Sequence, residues 1–384
     1  MTSYQIIKLV IAIGLAAGGI AFCVNENLWI GQKFREGFAM AGQMMLSIAG
    51  IMTIAPVLAN ILKPVVVPLF QMIGADPACF SSILGCDMGG YPLAVSLAES
   101  QEVAKMMGLA PAAMLGGTLT FAIPVARAVL TDEDFQFFSK GMLLGLLSIP
   151  FGSMAGGLIQ GLSLEVVLIN HVPILVLSAF LMLGFRYFAD KLVKAVDVFG
   201  KAITKIGLAG LIAGGITHLT GITIIPGMPP VMDGMATVCG MVFILAGTMP
   251  LLELFNRAVK GPLNEAGKRA GMDAVSVSGF LFTLASCVPT CAMMKNMTKR
   301  GIVLNSTWLV TCVGLLGSQI GFVLQEAPEM LASFAAAKLI SGALAMGLAL
   351  AMTRNMKTTE AVETVEDRCG NRHYYQNKKK EIAL

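Results

Sequence analysis

Long apolar runs are the feature that most limits what this chain can fold into. A helix needs about 20 mostly apolar residues to cross the hydrocarbon core of a bilayer, and nine runs along the chain approach that length. They lie at residues 5–24, 38–61, 107–130, 141–162, 164–185, 206–225, 235–256, 302–324 and 330–352. Charged residues make up only 13% of the chain, about half the share that covers the surface of a soluble domain. The sequence therefore predicts an all-α polytopic membrane protein.

Two further apolar stretches, 64–98 and 262–297, are interrupted by glycine, proline and polar residues. Non-helical backbone is tolerated at membrane depth only where it is buried in protein or lines a cavity. We therefore expect each stretch to hold a broken or re-entrant segment rather than one straight helix. The total is then about 9–11 transmembrane helices, and eleven full spans are the alternative to re-entrance.

An internal repeat divides the chain into two related halves. The segment GLAAGGI at 14–20 returns as GLIAGGI at 210–216, an offset of 196 residues that becomes 197 after a one-residue insertion. The matched pairs are Gly50 with Gly247, Met52 with Met249, Lys63 with Lys260, Gly74 with Gly271, Asp76 with Asp273, Ser81 with Ser278, Pro92 with Pro289 and Gly117 with Gly314. Internal repeats of this size are typical of transporters.

The repeat defines four segments of the chain. Residues 1–162 form the first membrane repeat and 206–353 form the second. Between them, 163–205 supplies a connecting span and then an amphipathic helix. We expect that helix to lie in the membrane interface, because its apolar side chains share one face. The polar tail 354–384 cannot bury a core and is predicted to be disordered.

Basic residues predict the orientation of the chain in the membrane. Lys and Arg cluster at 186–205, 257–269 and 295–300, and the tail is basic as well. Cytoplasmic loops carry such an excess. If 270–297 enters and leaves the membrane on one face, all four basic regions are cytoplasmic. If 64–98 also enters and leaves the membrane on one face, the two halves have opposite orientations in the membrane. The charge pattern therefore predicts an inverted repeat with a cytoplasmic C-terminus.

Asp87 is a carboxylate in an otherwise uncharged apolar stretch, beside Gly89, Gly90 and Pro92. A charge in the membrane interior costs about 3 kcal/mol by insertion scales unless it faces a cavity or a partner. Glycine and proline free backbone carbonyls and let a ligand approach closely. This pattern predicts a cation site with contacts at Asp87, Gly89 and Gly90. The alternatives are a carboxylate held by an internal lysine or one placed at the water interface.

The matching stretch of the second half places Ser286 and Cys287 where the first half has Gly89 and Gly90, with Thr290 after the matched proline. Polar groups beside a helix break are plausible ligand donors, so we predict substrate contacts at Ser286, Cys287 and Thr290. The alternative for the hydroxyl groups is a hydrogen bond to their own backbone, which is common in membrane helices.

The segments 120–125 and 317–322 occupy matched places and are further candidates for helix breaks. Gln319 is a polar residue inside a predicted span, where substrate contact and an interhelical hydrogen bond are alternative roles. Lys338 lies inside the last run. Its side chain either snorkels to the membrane surface or forms an ion pair with Asp87.

Several classes of function are disfavoured by the sequence. It has no paired catalytic carboxylates, no metal-ligand spacing and no nucleotide-binding fingerprint in a supporting context. We therefore expect no enzymatic activity, no cofactor and no metal, with a membrane-embedded enzyme as the less favoured alternative. The net charge of +4 is not accompanied by interleaved basic and aromatic residues, so no nucleic-acid partner is predicted. The predicted partners are a small cationic amine and the lipid bilayer, and a homo-oligomer is left open.

Five segments resemble the ethanolamine permease family of ethanolamine-utilisation operons. They are CDMGGYPLA at 86–94, FAIPVA at 121–126, IPFGSMAGGL at 149–158, MMKNMTKRGIVLN at 293–305 and KLISGALAMGLA at 338–349. The similarity runs in order over residues 45–352. It implies a permease of the bacterial inner membrane that admits ethanolamine to the cell and has no enzymatic step of its own.

Two pairs of neighbouring residues depart from the pattern of that family. This chain has Ser286 and Cys287 where the resemblance leads us to expect an asparagine pair, and Ser318 and Gln319 where it leads us to expect an acidic residue and a histidine. Both departures fall at predicted site positions. The substrate is therefore expected to be ethanolamine or a closely related small amine or amino alcohol.

Overall fold

The computed structural model describes residues 3–84, 87–269, 271–354 and 356. Within these residues every regular element is a helix, which confirms the predicted all-α class. A helix satisfies its backbone hydrogen bonds within itself, so it suits apolar segments that meet no water. The tail predicted to be disordered, 354–384, lies outside the described residues except for Arg354 and Met356.

The α-helices fall into two groups along the chain. The first group is α1 (Ser3–Val24), α2 (Trp29–Ala39), α3 (Ala41–Met44), α4 (Gly50–Gln71), α5 (Cys79–Leu84), α6 (Gly90–Leu97), α7 (Gln101–Gly108), α8 (Ala110–Gly116), α9 (Ile123–Val129) and α10 (Asp132–Ile159). The second is α11 (Leu164–Thr220), α12 (Val231–Arg269), α13 (Ala274–Ala285), α14 (Cys287–Met294), α15 (Lys299–Cys312), α16 (Ser318–Glu326) and α17 (Leu331–Met352). Short π-helical turns at Met45–Ala49 and Gly117–Ala122, and 3-10 turns at Asp87–Gly89 and Pro328–Met330, join neighbouring helices.

Eight segments of the described chain are long and apolar enough to cross a membrane. They are Tyr4–Val24, Trp29–Gln71, Gln101–Val129, Asp132–Ile159, Leu164–Ala189, Lys191–Thr220, Val231–Leu263 and Pro328–Met352. The sequence predicted one more straight span, and the structure accounts for the difference.

The apolar run 302–324 is not one helix, because α15 ends at Cys312 and α16 begins at Ser318. The break thus lies directly before and at the start of 317–322, the segment predicted as a candidate break. Gly314 has a φ of 67°, which turns the chain out of the helix. The backbone N–H groups of Gly314 and Leu316 donate to carbonyl oxygens at the end of α13, at 3.1 and 2.8 Å. Backbone N–H groups at this break thus donate to the neighbouring helix α13. Such pairing is needed inside a membrane protein, where unsatisfied backbone groups are costly.

The two interrupted stretches do contain helix breaks, although these begin later than predicted. α4 continues through Pro64 and Pro68 to Gln71, and α12 continues through Pro262 to Arg269. Beyond these points the first stretch folds into α5 and α6, and the second into α13 and α14, separated at Ser286. Whether either stretch re-enters the membrane stays a prediction.

The repeat offset recurs in the bounds of the helices and in their contacts. α6 and α14 are both eight residues long and lie 197 residues apart. A Cβ atom added at Gly14 would lie 2.3 Å from the carbonyl oxygen of Gly247, and one added at the matched Gly210 would lie 2.8 Å from that of Gly50. Helix α1 therefore packs closely on α12 of the other half, and the end of α11 packs in the same way on α4.

Helix α11 joins the halves and contains the segment predicted to be amphipathic. It bends at Phe188, where φ is −138° and ψ is 38°. Beyond the bend Val193 and Val196 are buried, whereas Lys191 and Lys194 are exposed. From Lys191 the helix also belongs to the apolar segment Lys191–Thr220, which is long enough to cross a membrane. The amphipathic interfacial helix therefore stays a prediction.

Candidate functional site

Two matched aspartates hold the ends of the broken segments in place. Asp76 accepts backbone hydrogen bonds from Ala78, at 2.8 Å, and from Ser100 beyond α6, at 2.7 Å. In the second half Asp273 caps the start of α13 and accepts a backbone hydrogen bond from Thr298 beyond α14, at 3.2 Å. Each aspartate therefore ties the start of its broken segment to the start of the next helix.

Asp87 lies at the break of the first segment, in the 3-10 turn that precedes α6. Its φ of 49° makes it the one residue other than glycine with a positive φ in the described chain. Such a conformation costs roughly 1–3 kcal/mol and persists where the surrounding structure imposes it, often at functional sites. The residue as a whole is half-buried.

Gln319 reaches this carboxylate from the second half of the chain. It lies in the first turn of α16, directly after the break that follows α15, and is only 4% exposed. Its Nε2 donates to Asp87 Oδ1 at 3.0 Å and lies 3.4 Å from the carbonyl oxygen of Ala113. Two residues singled out in different halves of the sequence are therefore in direct contact.

Lys338 lies on the other side of the same amide. Its Nζ donates to Oε1 of Gln319 and to the carbonyl oxygen of Val313, the latter at 3.0 Å. The side chain is fully buried, so the prediction that it snorkels to the surface is wrong. The predicted ion pair with Asp87 also needs correction, since the amide of Gln319 stands between the two charges and bonds to both. We call these three residues the Asp87–Gln319–Lys338 triad.

Of the four second-half positions predicted to contact substrate, Gln319 is the one that bonds to Asp87 in the described chain. Cys287 has a buried thiol, and its contact with substrate stays a prediction. Ser286 is half-buried at the break between α13 and α14, where its hydroxyl caps α14 by accepting from the N–H of Val288 at 3.4 Å.

The hydroxyl of Thr290 is already occupied. It lies 3.0 Å from the hydroxyl of Thr283 and 3.3 Å from the carbonyl oxygen of Gly279, both on α13, and the residue is fully buried. The structure therefore gives Thr290 a role in packing α14 against α13, and the predicted substrate contact is not supported by its placement.

Gly90 of the first segment serves helix packing. Both Gly89 and Gly90 are buried. A Cβ atom added at Gly90 would lie 2.8 Å from Cβ of Ala112, closer than such atoms approach in proteins. The absence of a side chain thus lets α6 lie against α8, and a contact between these glycines and a ligand stays a prediction.

Sequence reasoning missed two glycines that face Gln319. A Cβ atom added at Gly117 would lie 3.4 Å from Nε2 of Gln319 and 3.8 Å from Oδ1 of Asp87. One added at Gly314 would lie 3.2 Å from Cγ of Gln319. These glycines are a matched pair of the internal repeat, so the signal that could have found them was present in the sequence.

A small cavity of about 10 Å³, room for about one water molecule, lies beside Gln319 of the triad. Met88, Ala113, Gln319, Phe322 and Phe334 are among the residues that line it. Aromatic and aliphatic walls with a few convergent polar groups are typical of sites for small molecules. In the part of the chain that the structure describes, no three His, Cys, Asp or Glu side chains are grouped to hold a metal ion.

The chain is similar in sequence to proteins of one known family. The family model described as "Ethanolamine utilisation protein, EutH" matches residues 4–352. The probable ethanolamine permease EutH of Listeria monocytogenes is 36% identical over 365 residues, covering 94% of this chain and 98% of that protein. The uncharacterized protein YxeR of Bacillus subtilis is 35% identical over 354 residues, covering 92% and 96%. The probable ethanolamine permease EutH of Salmonella typhimurium is 32% identical over 345 residues, covering 83% and 85%. No solved structure matches the chain.

Proposed function

The chain belongs to the EutH family of ethanolamine utilisation proteins, and from this premise we propose that it is a permease for ethanolamine or a closely related small amino alcohol. The family membership confirms the resemblance inferred from the sequence motifs. A multi-pass membrane protein is supported by both the family and the eight apolar segments. We place it in the bacterial cytoplasmic membrane with its C-terminus in the cytoplasm, as the basic loops indicate.

The observation that carries the proposal is the carboxylate of Asp87, a half-buried residue at a helix break. An ammonium group that leaves water needs a counter-charge, because an unpaired charge in a low-dielectric interior is costly. Asp87 supplies that charge at a point where the chain is unwound and the protein holds a small cavity. In this proposal Asp87 binds the ammonium group of the substrate.

The hydroxyl group of the substrate also needs partners once it is desolvated. We assign this role to Gln319 and Ser286, whose polar side chains lie at the breaks of the second half. Ser286 and Cys287 are among the positions that depart from the family pattern, so they are the positions at which a preference for a related amino alcohol would arise.

The proposed transport mechanism uses the internal repeat. Transporters built from two repeats bind substrate near the bilayer midplane, between broken helices, and expose the site to each side as one repeat moves against the other. Asp87 belongs to the first half and Gln319 to the second. A substrate held at this contact would therefore be affected directly by relative motion of the two halves.

Uptake of radiolabelled ethanolamine into proteoliposomes tests the proposal. The external pH should be acidic, because the neutral amine crosses bilayers unaided and can mask a carrier. We expect saturable uptake that unlabelled ethanolamine inhibits, and a competition series of small amines and amino alcohols would rank the substrates. Liposomes without protein are the control. A complete lack of saturable uptake for every small amine tried would contradict the proposal.

A further inference from the structure

The ammonium group of Lys338 is held by the kind of oxygen ligands that bind a monovalent metal cation in a transporter. One is the carbonyl oxygen of Val313, where α15 has ended and the backbone has left the helical conformation with a ψ of 134°. The other is the side-chain oxygen of Gln319. Unwound backbone carbonyls and the C-terminal ends of half-helices are the groups that coordinate coupling cations in transporters with broken helices.

Several weaker interactions stabilise the buried charge. The Nζ atom lies 5.4 Å from the centre of the Phe334 ring, within the range of a cation–π interaction. It also lies at the C-terminal end of α15, where the helix dipole is negative. In the described part of the chain Lys338 makes no direct ion pair, and its link to the Asp87 carboxylate runs through Gln319. A charge retained in the membrane interior in this way indicates a functional role.

The ammonium group also determines how the amide of Gln319 is turned. A protonated lysine has donors and no acceptor, so it selects the oxygen of the amide. The nitrogen then faces Asp87, to which it donates at 3.0 Å. Lys338 is in this sense a positioning residue, because it fixes the polarity of the group that contacts the carboxylate.

We propose that Lys338 is a resident cation that takes the place of a co-transported sodium ion, so that this protein moves its cationic substrate without sodium. The proposal rests on the proposed function, in which Asp87 binds the ammonium group of the substrate. Lys338 stays with the protein through the cycle, and each substrate cation therefore carries one net positive charge across the membrane. A membrane potential that is negative inside should drive uptake.

The first test uses the unmodified protein. Proteoliposomes loaded with potassium buffer are diluted, with valinomycin, into sodium-free N-methyl-D-glucamine buffer of the same pH, which makes the interior negative. We expect saturable uptake of labelled ethanolamine at a rate within about a factor of two of the rate in sodium buffer, a difference of less than about 0.5 kcal/mol. Uptake that occurs only with an inward sodium gradient would overturn the inference and leave the proposed function standing. An absence of saturable uptake under every ionic condition would overturn both.

The second test removes the resident cation. Lys338→Ala leaves the oxygen ligands of Val313 and Gln319 in place and opens space for an ion. We expect its sodium-free uptake to fall at least about tenfold, which is about 1.4 kcal/mol, and to recover in part when sodium is added. The matched control is Lys63→Ala, which removes an exposed lysine of α4 and should change neither rate. A Lys338→Ala protein that transports at the wild-type rate without sodium would contradict the inference. If the variant is not produced, the sodium dependence of the wild-type protein decides the question alone.

Discussion

The amide of Gln319 is the single group on which the geometry of the candidate site most depends. It donates to Asp87 and accepts from Lys338, and it joins residues that lie in different halves of the chain. Neither charge contacts the other directly, and the amide bonds to both. The triad therefore allows charge and hydrogen bonding to be tested separately.

Asp87→Asn keeps the shape of the side chain and its ability to accept from Gln319, but it removes the negative charge. We expect normal abundance, because the change relieves the cost of a desolvated charge and asparagine tolerates a positive φ. Ethanolamine uptake should fall at least about tenfold, since the lost ion pair is worth upward of about 1.4 kcal/mol.

Detergent-solubilised yield and proteoliposome uptake measure the two effects of Asp87→Asn. Wild-type uptake by this variant would remove Asp87 from the proposed binding site. A low yield that is restored by adding Lys338→Met would instead show that the carboxylate serves chiefly to balance the buried lysine.

Gln319→Leu removes the hydrogen bonds of the amide to Asp87, Ala113 and Lys338 and leaves a buried ammonium group with one partner fewer. The expected loss in free energy of unfolding is about 1–3 kcal/mol, the cost of leaving buried polar groups unsatisfied. A thermal-shift measurement in detergent checks this prediction. Gln71→Leu is the control, because Gln71 is exposed and its hydrogen bond to Glu99 lies at the surface. An equal shift for both variants would mean that the triad contributes no special stability.

At the level of helices, the breaks are ordered parts of the fold. The turn after α15 donates backbone hydrogen bonds to the end of α13, which is itself about to break at Ser286. The N–H groups of one helix break thus bond to the carbonyl oxygens of the other. Neither set of groups then needs water as a hydrogen-bond partner. The same turn presents the carbonyl oxygen of Val313 to Lys338, so the break both shapes the chain and supplies a ligand.

Gly314→Ala tests the turn after α15. The native φ of 67° costs a residue with a side chain about 1–2 kcal/mol, and the new Cβ would lie 3.2 Å from Cγ of Gln319. We expect a lower melting temperature together with reduced uptake. The control Gly347→Ala lies in α17, where a Cβ meets nothing within 4 Å, and it should be neutral or slightly stabilising because alanine favours a helix. A neutral Gly314→Ala variant would show that the turn is free to rearrange.

At the level of the complete fold, the first helix of each half packs against a helix of the other half. α1 lies against Gly247 of α12, and the matched end of α11 lies against Gly50 of α4. Close helix approach through small residues is a principal means of association in lipid, where burial of apolar surface gives no preference for one helix over another. The two halves are therefore interlocked in the folded protein.

Gly14→Ala and Gly210→Ala test the two reciprocal contacts. The added methyl groups would lie 2.3 and 2.8 Å from backbone oxygens of Gly247 and Gly50, respectively. Overpacking of this kind costs about 1–3 kcal/mol, so both variants should melt at lower temperature than the wild-type protein. Gly215→Ala, where a Cβ meets nothing within 4 Å, is the control. Destabilisation by one variant alone would mean that the matched contacts are not equivalent in energy.

The proposed inversion of the two repeats can be tested with the matched pair Lys63 and Lys260. Both residues are exposed, and the inverted topology places the first outside the cell and the second in the cytoplasm. In a cysteine-free background, Lys63→Cys should react with a membrane-impermeant maleimide added to intact cells. Lys260→Cys should react only after the cells are permeabilised. Equal labelling of both from outside would indicate that the repeats run in the same direction.

The general architecture could be predicted from the amino-acid sequence alone. Apolar runs with few charges predicted an all-α membrane protein, and the positions of glycine, proline and polar residues predicted that two stretches are broken. The repeated segments predicted the offset of 197 that recurs in the bounds of α6 and α14. These features depend on the composition and local order of the chain, which is why they could be inferred without knowing which helices touch.

The membership of the candidate site depends on contacts that form in the folded chain. Asp87 and Gln319 are 232 residues apart in the chain, and their contact exists because two helix breaks meet between the halves. The hydroxyl of Thr290 looked equally suitable in the sequence, yet α13 occupies it. Hydropathy shows that a helix avoids water, but it does not show which neighbouring helix that helix packs against. Lipid tails are as apolar as the helix faces, so apolar character alone favours no particular helix pair. The close contacts and hydrogen bonds that select among them come from the folded chain alone.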